Sequence, residues 1–235
     1  MTARPCLAFA CAHMSDERLY AAQLAAFGAE YDCRVFVFRK HASLAGMAEE
    51  LLAATPGRFT LIGLSLGGYV AFEVIRRQLH RLERLVLLDT TAAADAPARK
   101  AGRLADIAKV REGGIEALIP ELPARWLLPA HAQRADLVGV MAGMARSVGA
   151  HGQFNQQQAM LARPDSHDDL ATVRIPTLLI CGADDPVTPV ADHEAMAARI
   201  AGSRLEVVAD CGHLATIEQP EGVNRLLAGW LASTG

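Results

Sequence analysis

Apolar positions along the chain fall into two alternating patterns. Short continuous apolar runs recur at 7–11, 35–38, 59–63, 85–88, 177–181 and 205–208. Runs of this length without polar alternation fit strands covered on both faces, as in a parallel sheet. Between them, apolar residues return every three or four positions over 17–27, 44–54, 66–79, 190–200 and 221–231. That spacing marks helices with one buried face, and Pro189 suits the start of the fourth. Strand alternating with helix predicts an α/β fold: a doubly wound, mostly parallel sheet with helices on both faces.

One segment breaks the rhythm. From 92 to 169 no strand run occurs, and helical spacing covers 97–111, 114–119, 132–148 and 154–161, punctuated by Pro120, Pro123, Pro129 and Pro164. The expected organisation is a core of residues 1–91 and 170–235, with residues 92–169 inserted after the fourth strand as a helical cap. No internal repeat is present.

Composition narrows the class. A chain of 235 residues buries roughly 70% or more of its unfolded surface, and 51% hydrophobic with 21% charged residues is a globular balance. A net charge of −3 and no block of basic residues leave no footprint for nucleic acid. Cys6, Cys11, Cys33, Cys181 and Cys211 are odd in number and form no CxxC pair, which points to a reduced, intracellular setting. The start, Met-Thr-Ala-Arg-Pro, lacks a leader's apolar region, and no stretch approaches the ~18 apolar residues of a membrane span. The expectation is a soluble cytoplasmic protein with no membrane partner. Nothing in the sequence sets its oligomeric state.

The chemistry begins at Gly63-Leu64-Ser65-Leu66-Gly67, followed by Gly68. A serine between glycines, after a predicted strand and before a predicted helix, fits a sharp turn that presents a nucleophile. The alternative is a plain glycine-rich turn. A serine hydroxyl needs a base. Asp210-Cys211-Gly212-His213 directly follows the last strand, so His213 is expected at the carboxyl edge of the sheet, where open α/β sheets hold their sites. A base needs a carboxylate to fix its tautomer, and Asp184 and Asp185 both follow the fifth strand.

These residues carry a resemblance over nearly the whole chain. Ser65, then Asp185, then His213 is the order of the α/β-hydrolase triad, and the chain resembles the small esterase, enol-lactonase and carbon–carbon hydrolase branch of that fold. Gly182-x-x-Asp185-x-x-x-Pro189 is similar to that family's acid loop, which favours Asp185 over Asp184; Gly212-His213 matches its histidine loop. The resemblance implies an α/β-hydrolase fold and an oxyanion hole built from two backbone N–H groups, those of His13 and Leu66. Ala12, in Cys11-Ala12-His13, stands where the family usually carries glycine. In Leu87-Leu88-Asp89-Thr90, Asp89 matches a position where some members place the acid. Its expected role is to cap the loop leading into the cap, with the triad acid as its reserve role.

Other signals are set aside. Cys11 with His13, and Cys211 with His213, lack the second half of a zinc pattern, so no metal or other cofactor is expected. Cys33 and Cys181 read as buried packing residues. Gln153, Asn155, Gln156, Gln157 and Gln158 read as a solvated helix face, with a substrate-facing patch as the alternative. Met141, Met144 and Met160 read as cap packing.

The leading expectation is a cofactor-free serine hydrolase acting on a small ester, lactone or thioester through an acyl-enzyme. The first alternative is carbon–carbon bond hydrolysis or lyase chemistry with the same triad, for which Arg125, Arg146 or Arg163 would clasp a substrate carboxylate. The second is a non-catalytic, ligand-binding member of the fold.

Overall fold

The six apolar runs pair side by side. In the computed structural model, which describes residues 4–234, β1 (Cys6–Ala10), β2 (Asp32–Phe36), β3 (Phe59–Leu64), β4 (Leu82–Leu88), β5 (Thr177–Gly182) and β6 (Arg204–Val208) form one sheet in the order β2-β1-β3-β4-β5-β6. Every pairing is parallel. The outer bounds expected for the core, 1 and 235, and the first three residues on which the absence of a leader was read, fall outside the described residues.

Alternation along each strand divides the core in two. Leu7, Phe9, Ile62, Leu64, Val86, Leu88, Leu178 and Ile180 face one side, where α1 (Ala21–Phe27) and α10 (Pro220–Ser233) cover them with Phe27, Val223, Leu227 and Trp230. Ala8, Ala10, Phe59, Leu61, Leu85, Leu87 and Leu179 face the other. There α2 (Leu44–Ala54), α3 (Leu66–Gln78) and α8 (Val190–Ala197) bring Met47, Leu51, Val70, Val74 and Met196. Each such side chain, fully buried, contributes about 1.5–3 kcal/mol of transfer free energy.

The edges differ from the apolar pattern. β2 starts at Asp32, ahead of its apolar run, because it is an edge strand whose first four residues are only half-buried. Arg34 folds back on Asp32 at 2.7 Å there. The helix expected over 17–27 opens as a 3-10 turn, Glu17–Tyr20, capped by Asp16. Cys33 is half-buried, not buried, while Cys181 is in the core.

The insertion between β4 and β5 is helical. It contains α4 (Pro97–Gly113), α5 (Leu122–Trp126), α6 (Ala135–Leu161) and α7 (His167–Leu170). The interruption expected after 148 is real: Gly149 sits at φ 70°, which glycine adopts without a Cβ clash, and α6 bends there. Met141 and Met144 pack in the first core layer and Met160 in the second. The last short helix is α9 (Ala215–Glu218), which the apolar pattern did not mark. No helix of the described residues is long and apolar enough to cross a membrane.

Candidate active site

Ser65 stands between the last residue of β3 and the first of α3 at φ 52°, ψ −109°. Such a conformation costs a non-glycine residue about 1–3 kcal/mol and persists only where its surroundings enforce it. They do so here. The Ser65 N–H donates to the Leu88 carbonyl at 3.0 Å, and the Thr90 hydroxyl donates to the Ser65 carbonyl at 2.9 Å. The glycines are needed for close approach. A Cβ on Gly67 would lie 2.0 Å from the Ala10 carbonyl oxygen, and one on Gly63 would lie 2.5 Å from the Gly67 carbonyl oxygen.

His213 and Asp185 arrive on the loops after β6 and β5. His213 Nε2 lies 3.0 Å from Ser65 Oγ, and its Nδ1 lies 2.8 Å from Asp185 Oδ2. Asp185 can only accept, which assigns the proton to Nδ1 and leaves Nε2 free to accept from the serine. The His213 N–H donates to the Trp126 carbonyl at 2.7 Å, so the insertion helps to fix His213 as well. Asp185 Oδ1 accepts from the N–H groups of Val187 (2.7 Å) and Thr188 (3.0 Å), and Oδ2 accepts from the Thr188 hydroxyl (2.7 Å). Burial alone would raise this carboxyl. The neighbouring His213, with the hydrogen bonds from His213 and Thr188, brings it below its ordinary range. Asp184, the other carboxylate weighed from sequence, is exposed.

Asp89 does not cap its own loop. Fully buried, it reaches across the sheet edge: Oδ1 accepts from Gly182 N–H at 2.9 Å and Oδ2 from Ala215 N–H at 3.0 Å. It thus ties the acid loop to the histidine loop. Its carboxylate lies within 4.8 Å of that of Asp185. Burial, and then the Asp185 charge, push its carboxyl well above the ordinary range.

His13 and Ala12 line the same cavity as Ser65 and His213. Among the described residues, neither the His13 nor the Leu66 backbone N–H finds a protein acceptor. The preceding loop is held by Gln156, whose Oε1 accepts from His13 Nδ1 (2.8 Å) and Met14 N–H (2.9 Å) while its Nε2 donates to the Phe38 carbonyl (2.8 Å). Burial, and then the charge of Arg103, push the His13 imidazole down to about 3, so it stays neutral.

The glutamine-rich stretch is therefore not a solvated face. Gln153, Asn155, Gln156 and Gln157 are all buried against the rest of the protein. The arginines also sort differently. Arg125 and Arg146 lie on the surface, paired with Asp106 and Glu121 and with Glu116 respectively. Arg163 is buried over the Tyr69 ring at 3.9 Å. Arg103, which the sequence did not single out, lines the cavity with Tyr69, Trp126 and Met160. The cysteines are poor nucleophiles, because burial raises the thiols of Cys11, Cys181 and Cys211.

Comparison with known proteins agrees with this architecture. The model of the alpha/beta hydrolase family matches residues 7–226. The chain is 27% identical to 3-oxoadipate enol-lactonase 1 of Acinetobacter baylyi, over 97% of this chain and 89% of that one. It is 31% identical to a pimeloyl-[acyl-carrier protein] methyl ester esterase of Aromatoleum aromaticum, over 76% of each. The solved structure of a thermophilic esterase from Thermogutta terrifontis, with malate bound, superposes with a TM-score of 0.89 at 30% identity, covering 99% of this chain and 91% of that one. The chain belongs to the alpha/beta hydrolase family, in its esterase and enol-lactonase branch, and is a hydrolase.

Proposed function

We propose that the protein cleaves a small carboxylic ester or lactone through an acyl-enzyme on Ser65, with His213 as base and Asp185 as its orienting acid. The observation that carries this reading is the continuous hydrogen-bonded line from Ser65 Oγ to His213 to Asp185, at 3.0 and 2.8 Å. His213 Nε2 takes the hydroxyl proton as Oγ attacks the carbonyl carbon. The developing oxyanion is received by the N–H groups of His13 and Leu66, each worth about 2.7–4 kcal/mol in the transition state. Collapse expels the alcohol with the proton from His213. Water, deprotonated by the same base, then releases the acid. Asp185 stays ionised throughout and stabilises the imidazolium. Residues 92–169 act as the cap that sizes the acyl pocket, through Arg103, Trp126 and Met160.

A second reading uses the same three residues to hydrolyse a carbon–carbon bond beside a carbonyl. Arg103 in the cavity wall favours keeping it, since such substrates carry acidic groups. The test is p-nitrophenyl ester hydrolysis from acetate to decanoate, wild type beside Ser65→Ala. A saturable rate lost in the variant is expected. No rate above the variant, with Ser65 still labelled by a fluorophosphonate, would shift the assignment to the second reading. No labelling would leave a binding protein.

A further inference from the structure

The loop after β1 brings one more polar side chain to the cavity beside Ser65. His13 lines that cavity, which is small, about 50 Å³. The protonation of its ring follows from its neighbours. Gln156 Oε1 accepts from the Met14 N–H at 2.9 Å, a group that only donates. Gln156 Nε2 donates to the Phe38 carbonyl at 2.8 Å, a group that only accepts. The orientation of the amide is thereby fixed. His13 Nδ1, 2.8 Å from the same Oε1, must then carry the proton. The other ring nitrogen, Nε2, is left with a lone pair.

No protein group uses that lone pair. The bond to Gln156 is the ring's one hydrogen bond among the described residues. Trp126 stands edge-on to the ring, with centres 6.0 Å apart. Nε2 is not sealed within the protein either, as the amide of Gln153 is, so its open side is the cavity. The other side-chain nitrogens there offer a ligand no lone pair. Arg103 and the Trp126 indole only donate, and His213 Nε2 faces Ser65 Oγ at 3.0 Å. Nε2 also stays an acceptor at neutral pH, because burial, and then the Arg103 charge, bring the imidazole down to about 3.

An acceptor in so confined a place selects its ligand. A substrate that displaces water from it and offers no donor leaves it unsatisfied, at a cost of about 1–3 kcal/mol. Sites built this way reject analogues that lack the donor. In the hydrolase reading the His13 N–H receives the oxyanion, so the ring of the same residue lies beside the carbonyl oxygen. A hydroxyl on the first or second carbon from the carbonyl stands on that side. The small cavity leaves little room for a bulkier donor such as an acylamino group.

We propose that the substrate is an ester of a small α- or β-hydroxy acid, that its hydroxyl donates to His13 Nε2, and that Gln156 is the positioning residue that keeps this nitrogen an acceptor. The proposal rests on the hydrolase reading of Ser65.

The experiment compares methyl α-hydroxybutyrate and methyl β-hydroxybutyrate with methyl butyrate and with the two matching methoxy esters, which keep the oxygen and lose the donor. Hydrolysis is followed by pH-stat in wild type, Ser65→Ala and His13→Phe. One hydroxy ester should exceed both its methoxy partner and methyl butyrate in kcat/KM by at least about tenfold. That preference should collapse in His13→Phe. In parallel, imidazole nitrogen NMR, with His13 assigned by its loss in His13→Phe, should show Nε2 unprotonated in wild type. Gln156→Leu should mix the two tautomers, and Gln156→Glu should restore the wild-type one. Ser65-dependent hydrolysis at equal kcat/KM for hydroxy, methoxy and plain esters overturns the proposal and spares the hydrolase reading. A preference kept in His13→Phe, or a proton on Nε2 in the wild type, overturns it too. If no ester is cleaved, the hydrolase reading fails and the nitrogen spectrum decides. An Nε2 resonance moved by a hydroxy ester and not by its methoxy partner leaves the acceptor site standing; no movement removes it. Should His13→Phe not fold, the wild-type contrast between hydroxy and methoxy esters and the effect of Gln156→Glu on the tautomer give the same decision.

Discussion

The two walls of the cavity are built on opposite terms. On the sheet side the side chains that surround Ser65 and His213 are held by several hydrogen bonds each. Asp185 accepts from His213, from the Thr188 hydroxyl and from two backbone N–H groups; Asp89 spans two loops; Thr90 clamps the serine carbonyl. Within the insertion, behind the residues that line the cavity, some buried polar groups are left over. Arg163 keeps two buried nitrogens without partners, and Gln153 keeps both amide atoms so. The difference bears on the proposed chemistry of the sheet side. Moving a proton needs groups fixed before the substrate arrives.

The sharpest way to break this comparison is to disturb the rigid wall sterically. Gly67→Ala drives a Cβ to 2.0 Å from a backbone oxygen at the end of β1, where neither partner can yield cheaply. A loss of at least about 3 kcal/mol is expected, a Tm fall of roughly 6–12 °C, with esterase activity lost alongside. On the insertion, Gly139 in α6 has open space around its Cβ position. Gly139→Ala should be neutral or stabilise by up to about 1 kcal/mol. Calorimetry of the two variants measures the contrast; equal shifts would erase it.

This asymmetry also explains what the sequence could reveal. The strands were legible because burial on both faces leaves unbroken apolar runs. Asp32 and Arg34 were not, since an edge strand tolerates polar residues that pair along its rim. Ser65, Asp185 and His213 were legible because each follows a strand end, so topology alone brings them to one edge. Arg103 was not. In sequence it is one cation among several in a polar helix, and only the packing of α4 against α6 turns it inward. Gln156 looked solvated for the same reason: the loops that cover it lie more than a hundred residues away.

A smaller loss, about 3 kcal/mol by urea denaturation, is expected for Asp89→Ala, which leaves the Gly182 and Ala215 N–H groups buried without acceptors. Because those two residues flank the acid and base loops, kcat should fall more than KM rises. An unchanged kcat would make Asp89 structural only.

The two walls meet electrically at His13, whose imidazole burial and Arg103 hold down near 3. Its folded pKa lies below the unfolded value near 6.5, so below pH 6.5 the unfolded chain binds the extra proton. Stability is then lost as pH falls from 6.5 towards 3, by about 1.4 kcal/mol per pH unit from this group. Burial lowers His193 as well, adding to the same slope. Urea midpoints between pH 6.5 and 5 should therefore fall steeply in the wild type. His13→Asn should lower that slope by about one bound proton, a difference of about 2 kcal/mol over the interval. An unaltered slope would mean that His13 is already protonated in the folded state.

The finest comparison lies within one helix. Gln153 and Gln156 sit three residues apart in α6, and both are fully buried. Gln156 engages both polar atoms of its amide, with His13, Met14 and Phe38. Gln156→Leu keeps the volume but strands the His13 Nδ1–H, the Met14 N–H and the Phe38 carbonyl, so a loss of about 2–3 kcal/mol follows. Gln153 satisfies nothing. Gln153→Leu removes a desolvated amide without orphaning a neighbour, and should leave stability unchanged or raise it by about 1 kcal/mol. The same chemical substitution thus takes opposite signs according to whether the amide serves the rigid wall or the open one. If urea denaturation at neutral pH gives both variants the same loss, Gln153 has a partner in solution, and the insertion is as fully satisfied as the sheet it faces.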